Sequence, residues 1–212
     1  MEFSERQIER YSRQIIVTGG FAQERLLASR VAIIGDAADA EAAVYYLAGA
    51  GVGYLDLMLS GKASLIERIV AHARRLNSDA CLTLSESVRA IADLTLVFLS
   101  NGAKRAQWQE RVFRQGINAP AIMIRTEAPA QIALLEGARC IGCVVENLLA
   151  LTTTGSENKS FIAPFASVEA IKMLIRDKAS RQSYLIEFEG YSTRTSNPSF
   201  LRDALDTSCA HQ

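Results

Sequence analysis

What the chain lacks narrows its class first. It has no net charge: 23 basic residues balance 23 acidic ones over 212 residues, so no overall field draws it to nucleic acid or to an anionic membrane. No apolar run reaches the length that spans a bilayer, and the opening MEFSERQIERYSRQ lacks the apolar centre of a secretory signal. The expectation is a cytoplasmic protein with no nucleic-acid and no membrane partner. Cysteine is scarce, at four, which excludes a disulfide framework and leaves Cys81, Cys140, Cys143 and Cys209 expected as thiols. Internal repeats and low-complexity segments are absent as well.

What is present is an alternation of strand-like and helix-like segments, at a length that suits one domain with a modest extension. Helical spacing of apolar and charged residues marks 5–14 and 20–29, and VAIIG at 31–35 reads as a short buried strand of the parallel kind. An alanine-rich helix over 39–50 ends at Gly51 and Gly53, and YLDLMLS at 54–60 is the second strand. The helix at 64–76 sets Leu65, Ile69, Ala73 and Leu76 along one side. Strands follow at 81–85, 94–100 and 121–125, with a helix at 104–115 before the last. This order predicts an α/β fold with a doubly wound, mainly parallel, Rossmann-like sheet.

The last third predicts a short C-terminal β extension. It holds a strand in QIALLE, a polar loop at 152–160, a helix at 167–177 with Val168, Ile171 and Ile175 as its apolar stripe, and strand-like alternation over 184–195. The tail from 197 onward has no strong pattern. The organisation expected is a single domain over 1–212, with N-terminal helices at 1–30, a nucleotide-binding-like core at 31–127 and a helix-and-strand extension at 128–212.

One shortage carries more weight than the others. Residues 31–60, VAIIGDAADAEAAVYYLAGAGVGYLDLMLS, are built as a nucleotide-binding strand, turn and helix, yet the turn has lost its glycines. In a working unit, a G-x-G-x-x-G turn offers bare backbone so that phosphate can sit on the helix N-terminus. Only Gly35 is in place. Ala37 and Ala38 put methyl groups where phosphate oxygens approach, and Asp36, Asp39 and Glu41 set negative charge around the helix start. Such charge suits the helix dipole and repels an anion.

Several segments stand in a collinear order: RYSRQIIVTGGFAQERLLASRVAIIG at 10–35, LAGAGVGYLDL at 47–57, SNG at 100–102, GARCIGC at 137–143, then SVEAIKMLIRD and YLIEFEGYSTRTSNPS. In that order the chain resembles the ThiF/MoeB/HesA adenylyltransferases, the superfamily that includes ubiquitin-activating enzymes. The resemblance implies ATP and magnesium at the carboxyl ends of the strands. It also implies adenylation of the C-terminal glycine of a small ubiquitin-like or sulfur-carrier protein, often passed on through a cysteine or a persulfide. Such catalysis rests on positioning phosphates and neutralising their charge.

Most positions that the resemblance assigns to this task are altered here. The V-D-x-D pattern that holds the ribose corresponds to Met58, Leu59, Ser60 and Gly61, without a carboxylate. The following segment, with its phosphate-binding arginine and lysine, is missing between Gly61 and Ser64, where Lys62 is either a partial stand-in or a solvated turn lysine. The D-A-T-D-N pattern that binds magnesium reads Val97, Phe98, Leu99, Ser100, Asn101, and a neutral serine is a poor primary ligand for a hard dication. Asn101 is kept, and a structural turn role accounts for it equally.

Arg13, in YSRQI, is intact. The resemblance gives it the role of a finger reaching into a partner's ATP site, and the plainer reading is a surface arginine paired with Glu9. The chain therefore looks like a degenerate and shortened member with no catalytic residue. Gly35, Asn101 and Arg13 are left as vestigial or trans-acting nucleotide positions, and no cofactor is expected, ATP and magnesium included. The partners implied are a second copy or an active paralogue, and a small ubiquitin-like or sulfur-carrier protein. Two other readings stay open: an active adenylyltransferase with displaced ligands, and a small-molecule binding domain that uses the emptied crevice for an uncharged or cationic ligand.

Cys140 and Cys143 match the first C-x-x-C of the family's structural zinc site, but its second pair is replaced near Phe200 and Asp203. Zinc needs four ligands, so either Cys209 and His211 complete an unusual site or the pair is two small residues at a strand turn. Cys81, Tyr11 and Trp108 are expected in the core, with an interface as the alternative for the two aromatics, and His72 on the surface.

Overall fold

A computed structural model of the chain describes residues 3–85, 92–99, 120–126, 130–136, 148, 161–176, 182–189 and 192–197. Helix α1 (Glu5–Thr18) starts with a capping box, in which the Ser4 hydroxyl accepts from the Gln7 amide and the Gln7 side chain accepts from the Ser4 amide. Gly19 ends it, and α2 (Gly20–Ala28) leads into β1 (Arg30–Asp36). Then come α3 (Ala37–Ala50), β2 (Tyr54–Ser60), α4 (Ala63–Leu76), β3 (Cys81–Leu84), β4 (Leu94–Leu99), β5 (Ala121–Arg125) and β6 (Gln131–Leu135). Helix α5 (Ile162–Ile175) and the strands β7 (Tyr184–Glu189) and β8 (Ser192–Ser196) complete the described elements.

The strands form one sheet in the order β3-β2-β1-β4-β5-β6-β7-β8. From β3 to β5 every pairing is parallel, and from β5 to β8 every pairing is antiparallel. The expected α/β architecture is therefore present: a mainly parallel, Rossmann-like sheet with flanking helices and an antiparallel C-terminal extension. The chain direction across the sheet reverses at β1 and β4. In open α/β sheets this switch point leaves a crevice beyond the carboxyl ends of the strands.

The strand residues bury both faces, as parallel strands do. On one face Val31, Ile33, Leu55, Leu57, Leu96 and Ile122 pack with Val44, Leu47 and Ile69 of α3 and α4 and with Ala166 and Ala170 of α5. On the other, Ile34, Met58, Val97, Met123 and Leu185 form a second cluster. The alanine content of α3 has a packing cause: Ala37, Ala40, Ala43 and Ala48 are wholly buried, where α3 meets β1, β2, α4 and α5.

Three expectations are corrected. The last helix begins at Ile162, not at 167, and its buried face is Ile162, Ala163, Ala166, Ala170, Met173 and Leu174; Val168 is 45% exposed and Ile171 and Ile175 are half-buried. Ile171 and Ile175 still pack against the core, and the stripe is wider than expected because α5 packs against both α3 and the sheet, where small residues join large ones on its contact face. Cys81 is exposed, not in the core, because β3 is a four-residue edge strand paired only with β2. Leu76, at the last turn of α4, is 41% exposed. The expected helix at 104–115, the loop at 152–160, Trp108, and Cys140, Cys143, Cys209 and His211 lie outside the described residues.

Candidate functional site

The crevice beyond β1, β2 and β4 is assembled from backbone first. Strand β1 passes into α3 with no intervening loop: Asp36 is both the last residue of the strand and the N-cap of the helix, with extended backbone. Its carboxylate accepts from the Ala38 amide at 3.0 Å. That amide is one of the helix-end donors that a phosphate would otherwise receive, so the chain's own carboxylate takes one of the donors an anion would use. The carboxylate beside the helix start also repels a phosphate.

Gly35 is where the sequence places it, but packing explains it. Its φ is 152°, and a Cβ there would lie 2.6 Å from the Cβ of Phe98 and 3.2 Å from the Phe98 carbonyl oxygen. Glycine at this position lets β1 and β4 approach, whether or not a ligand binds. Ala37 is wholly buried, and Gly61 packs over it, with its Cβ position 3.5 Å from the Ala37 methyl.

The floor of the crevice has no carboxylate on β2. Met58 is buried, Leu59 and Ser60 are half-buried, and Ser60 pairs with Asp36 in the register of β1 and β2. The Ser60 hydroxyl oxygen is buried without a hydrogen-bond partner. Lys62 is exposed at the N-cap of α4 and makes no capping bond. Strand β2 does carry an acid, Asp56, but at the far end. It is 3% exposed and takes two hydrogen bonds from the Arg30 guanidinium, at 3.0 and 3.1 Å, while Arg30 also stacks over the Tyr54 ring. Asp56 is thereby committed to the fold.

Glu41 is a correction to the expected charge pattern. It leaves the helix start, accepting from the Tyr45 hydroxyl at 2.8 Å and pairing with Arg68 of α4 at 3.4 Å. Desolvation, then the hydrogen bond to Glu41, pushes the Tyr45 hydroxyl up to about 12. His72 is half-buried with its ring 4.5 Å from that of Tyr45, so its surface is spent on stacking. Asp39 stays in the first turn of α3 beside Asp36.

Arg13 is on α1. It is exposed, the expected pair with Glu9 is not formed, and no described residue bonds to it. One turn further along the same helix face are two large exposed apolar side chains, Ile16 at 84% and Val17 at 83%, and Phe21 on α2 is 69% exposed. Asn101 and Ser100 lie outside the described residues. Sequence reasoning passed over Arg125, a nearly buried arginine at the carboxyl end of β5 that donates to the Leu148 carbonyl at 2.8 Å. A charged residue closing an otherwise apolar strand, AIMIR, was the available signal.

Comparison with solved structures decides the fold type. E. coli MccB with a succinimide superposes at a TM-score of 0.63, with 15% identity over 89% of this chain and 71% of that one. MccB with ATP gives 0.60, 15%, 89% and 70%, and PaaA gives 0.58, 13%, 92% and 74%. The fold is ThiF/MoeB-like. No family model and no curated protein matches the chain by sequence.

The ATP and magnesium that the sequence resemblance implies would meet, among the described residues, a helix start that already holds the Asp36 carboxylate and a β2 end without a carboxylate. That β2 end is Met58, Leu59 and Ser60, and Lys62 is exposed at the start of α4. Among the described residues no group of His, Cys, Asp and Glu could hold a metal, and no helix is long and apolar enough to cross a membrane.

Proposed function

We propose that this chain is a non-catalytic protein of the ThiF/MoeB-like fold that acts as the binding or regulatory half of a dimer. In this reading its own crevice does not take ATP, and Arg13 supplies a guanidinium to anionic groups held in the crevice of its partner. The partner is an active paralogue or a second copy, and a small ubiquitin-like or sulfur-carrier protein is the substrate the pair serves. MccB, whose solved structures include ones together with MccA and with ATP, is the kind of active protein that offers such a crevice.

The observation that carries the reading is the Asp36 cap on α3. A helix start closed by its own carboxylate needs no phosphate to satisfy it and opposes one electrostatically. The exposed Arg13, one helical turn from Ile16 and Val17, supports the second half, since apolar side chains of that exposure suit a protein contact.

The test is calorimetric titration with ATP and magnesium, on the protein alone and mixed with a candidate active paralogue from the same genome. The expected result is no binding alone, and binding or turnover in the mixture that falls when Arg13 is replaced by alanine. Micromolar binding by the isolated protein contradicts the first half, and an active mixture indifferent to Arg13→Ala contradicts the second.

A further inference from the structure

Helix α1 has one buried side chain in 14 residues, Tyr11. Its polar ties to the body fall at one-turn spacing: Arg6 donates to the Ser78 hydroxyl, Arg10 to the Leu76 carbonyl at 2.5 Å, and Gln14 to the Gly49 carbonyl at 3.4 Å. A helix with so little apolar burial owes its orientation to the few anchors it has.

The central anchor is a buried three-way junction. Asn77 is wholly buried; its side-chain amide donates to the Tyr11 hydroxyl at 2.8 Å and to the Ala48 carbonyl at 2.8 Å, and its oxygen accepts from the Asp79 amide at 3.0 Å. One side chain thus joins α1, the last turn of α3 and the turn between α4 and β3. The Tyr11 ring rests against Gly51, where a Cβ would come within 2.9 Å of it, so the left-handed C-cap of α3 is also shaped to receive Tyr11. Burial pushes the Tyr11 hydroxyl up, against the opposing effect of its bond to Asn77.

Arg13 stands in the chain between anchored residues, Arg10 and Tyr11 before it and Gln14 after it, while its own side chain is exposed. We infer that Tyr11 and Asn77 are positioning residues for Arg13: their buried junction fixes the direction in which α1 presents the guanidinium to a partner. The inference rests on the reading of Arg13 as trans-acting, but the anchoring half has its own readout.

The experiment uses the full chain with Tyr11→Phe, Asn77→Ala, Arg13→Ala and the Tyr11→Phe/Arg13→Ala pair. Hydrogen exchange of the α1 amides is measured on each alone, and stimulation of the candidate paralogue in mixtures. Tyr11→Phe keeps the ring and removes only the hydroxyl, so it reports even where Asn77→Ala fails to fold. Loss of one hydrogen bond of ordinary net strength predicts a rise of about five- to tenfold in α1 exchange, with the β1, β4 and β5 amides unchanged. Misplacing a charged group by about 1 Å predicts a fall of tenfold or more in stimulation, and the double variant should be no worse than Arg13→Ala.

Unchanged α1 exchange in Tyr11→Phe overturns the inference without reference to any partner. So does unaltered stimulation in a mixture that Arg13→Ala impairs, and so do additive losses in the double variant, which mark a structural role independent of Arg13. An Arg13→Ala variant without effect overturns the trans reading itself.

Discussion

Asp36 and Ala38 are joined by a hydrogen bond of 3.0 Å, side-chain oxygen to backbone amide, at the point where β1 becomes α3. The cap stabilises the helix and takes one of the donors an anion would use by the same contact. Asp36→Ala should lower stability by about 1 kcal/mol, the usual worth of an N-cap. Urea unfolding measures the loss, and titration with ATP on the same variant should still show no binding, because Ala37 stays buried and the carboxyl end of β2, Met58 to Ser60, still lacks a carboxylate. Nucleotide binding restored by this one change would mean that the cap alone had blocked the crevice.

Gly35 tests whether a retained motif residue is kept for a ligand or for packing. Its Cβ position lies 2.6 Å from the Cβ of Phe98, so Gly35→Ala should cost on the order of 3 kcal/mol through a strained contact between β1 and β4. Thermal unfolding of the variant reads this directly. A melting point equal to that of the wild type would return Gly35 to the role of a ligand-facing turn residue.

Asp56 is predicted to matter for folding and for nothing in the crevice. Removing it leaves the half-buried Arg30 without its acceptor, and because Arg30 reaches solvent the loss should be about 2–3 kcal/mol, below the usual range for a buried pair. Asp56→Ala in an equilibrium unfolding series gives the number, and Asp56→Asn should recover part of it by keeping an acceptor.

Alkaline pH should weaken the α3–α4 contact at Tyr45. Its hydroxyl is raised from 10.0 to about 12, chiefly by desolvation and then by the bond to Glu41, so the folded state prefers the neutral phenol. The contribution is fully present below pH 10, where the unfolded chain is also neutral, and is lost as pH rises from 10 through about 12. Stability measured against pH across that window should fall less steeply in Tyr45→Phe than in the wild type. Equal slopes would remove Tyr45 from the account.

Much of the architecture was legible because periodicity and burial agree. The segments VAIIG, YLDLMLS and AIMIR bury both sheet faces, and a run of buried β-branched and aliphatic residues has few other uses. Helix α5 was read only in part: Ile171 and Ile175 do pack against the core, but Ala163, Ala166 and Ala170 share its buried face, and their size gives no hydrophobic signal. Cys81 was misjudged for a different reason: nothing local to CLTL states that it lies at the sheet edge.

The site divides in the same way. The altered turn could be read from residue types alone, since Ala37 and Asp36 differ in size and charge from what a phosphate needs. What could not be read is that Glu41 turns away to Tyr45 and Arg68, or that Asp56 is held by Arg30 at the opposite end of β2. Nor does spacing along the chain reveal the Tyr11–Asn77 contact, which joins residues 66 positions apart. Long-range polar contacts depend on topology, and topology is what the fold supplies.

The most direct test of the central claim is the affinity of the isolated protein for ATP with magnesium, measured by calorimetry on the full chain. The account predicts no saturable heat at concentrations up to about 1 mM, the weak end of ordinary ligand affinity. A dissociation constant in the micromolar range, for the protein without any partner, would contradict it.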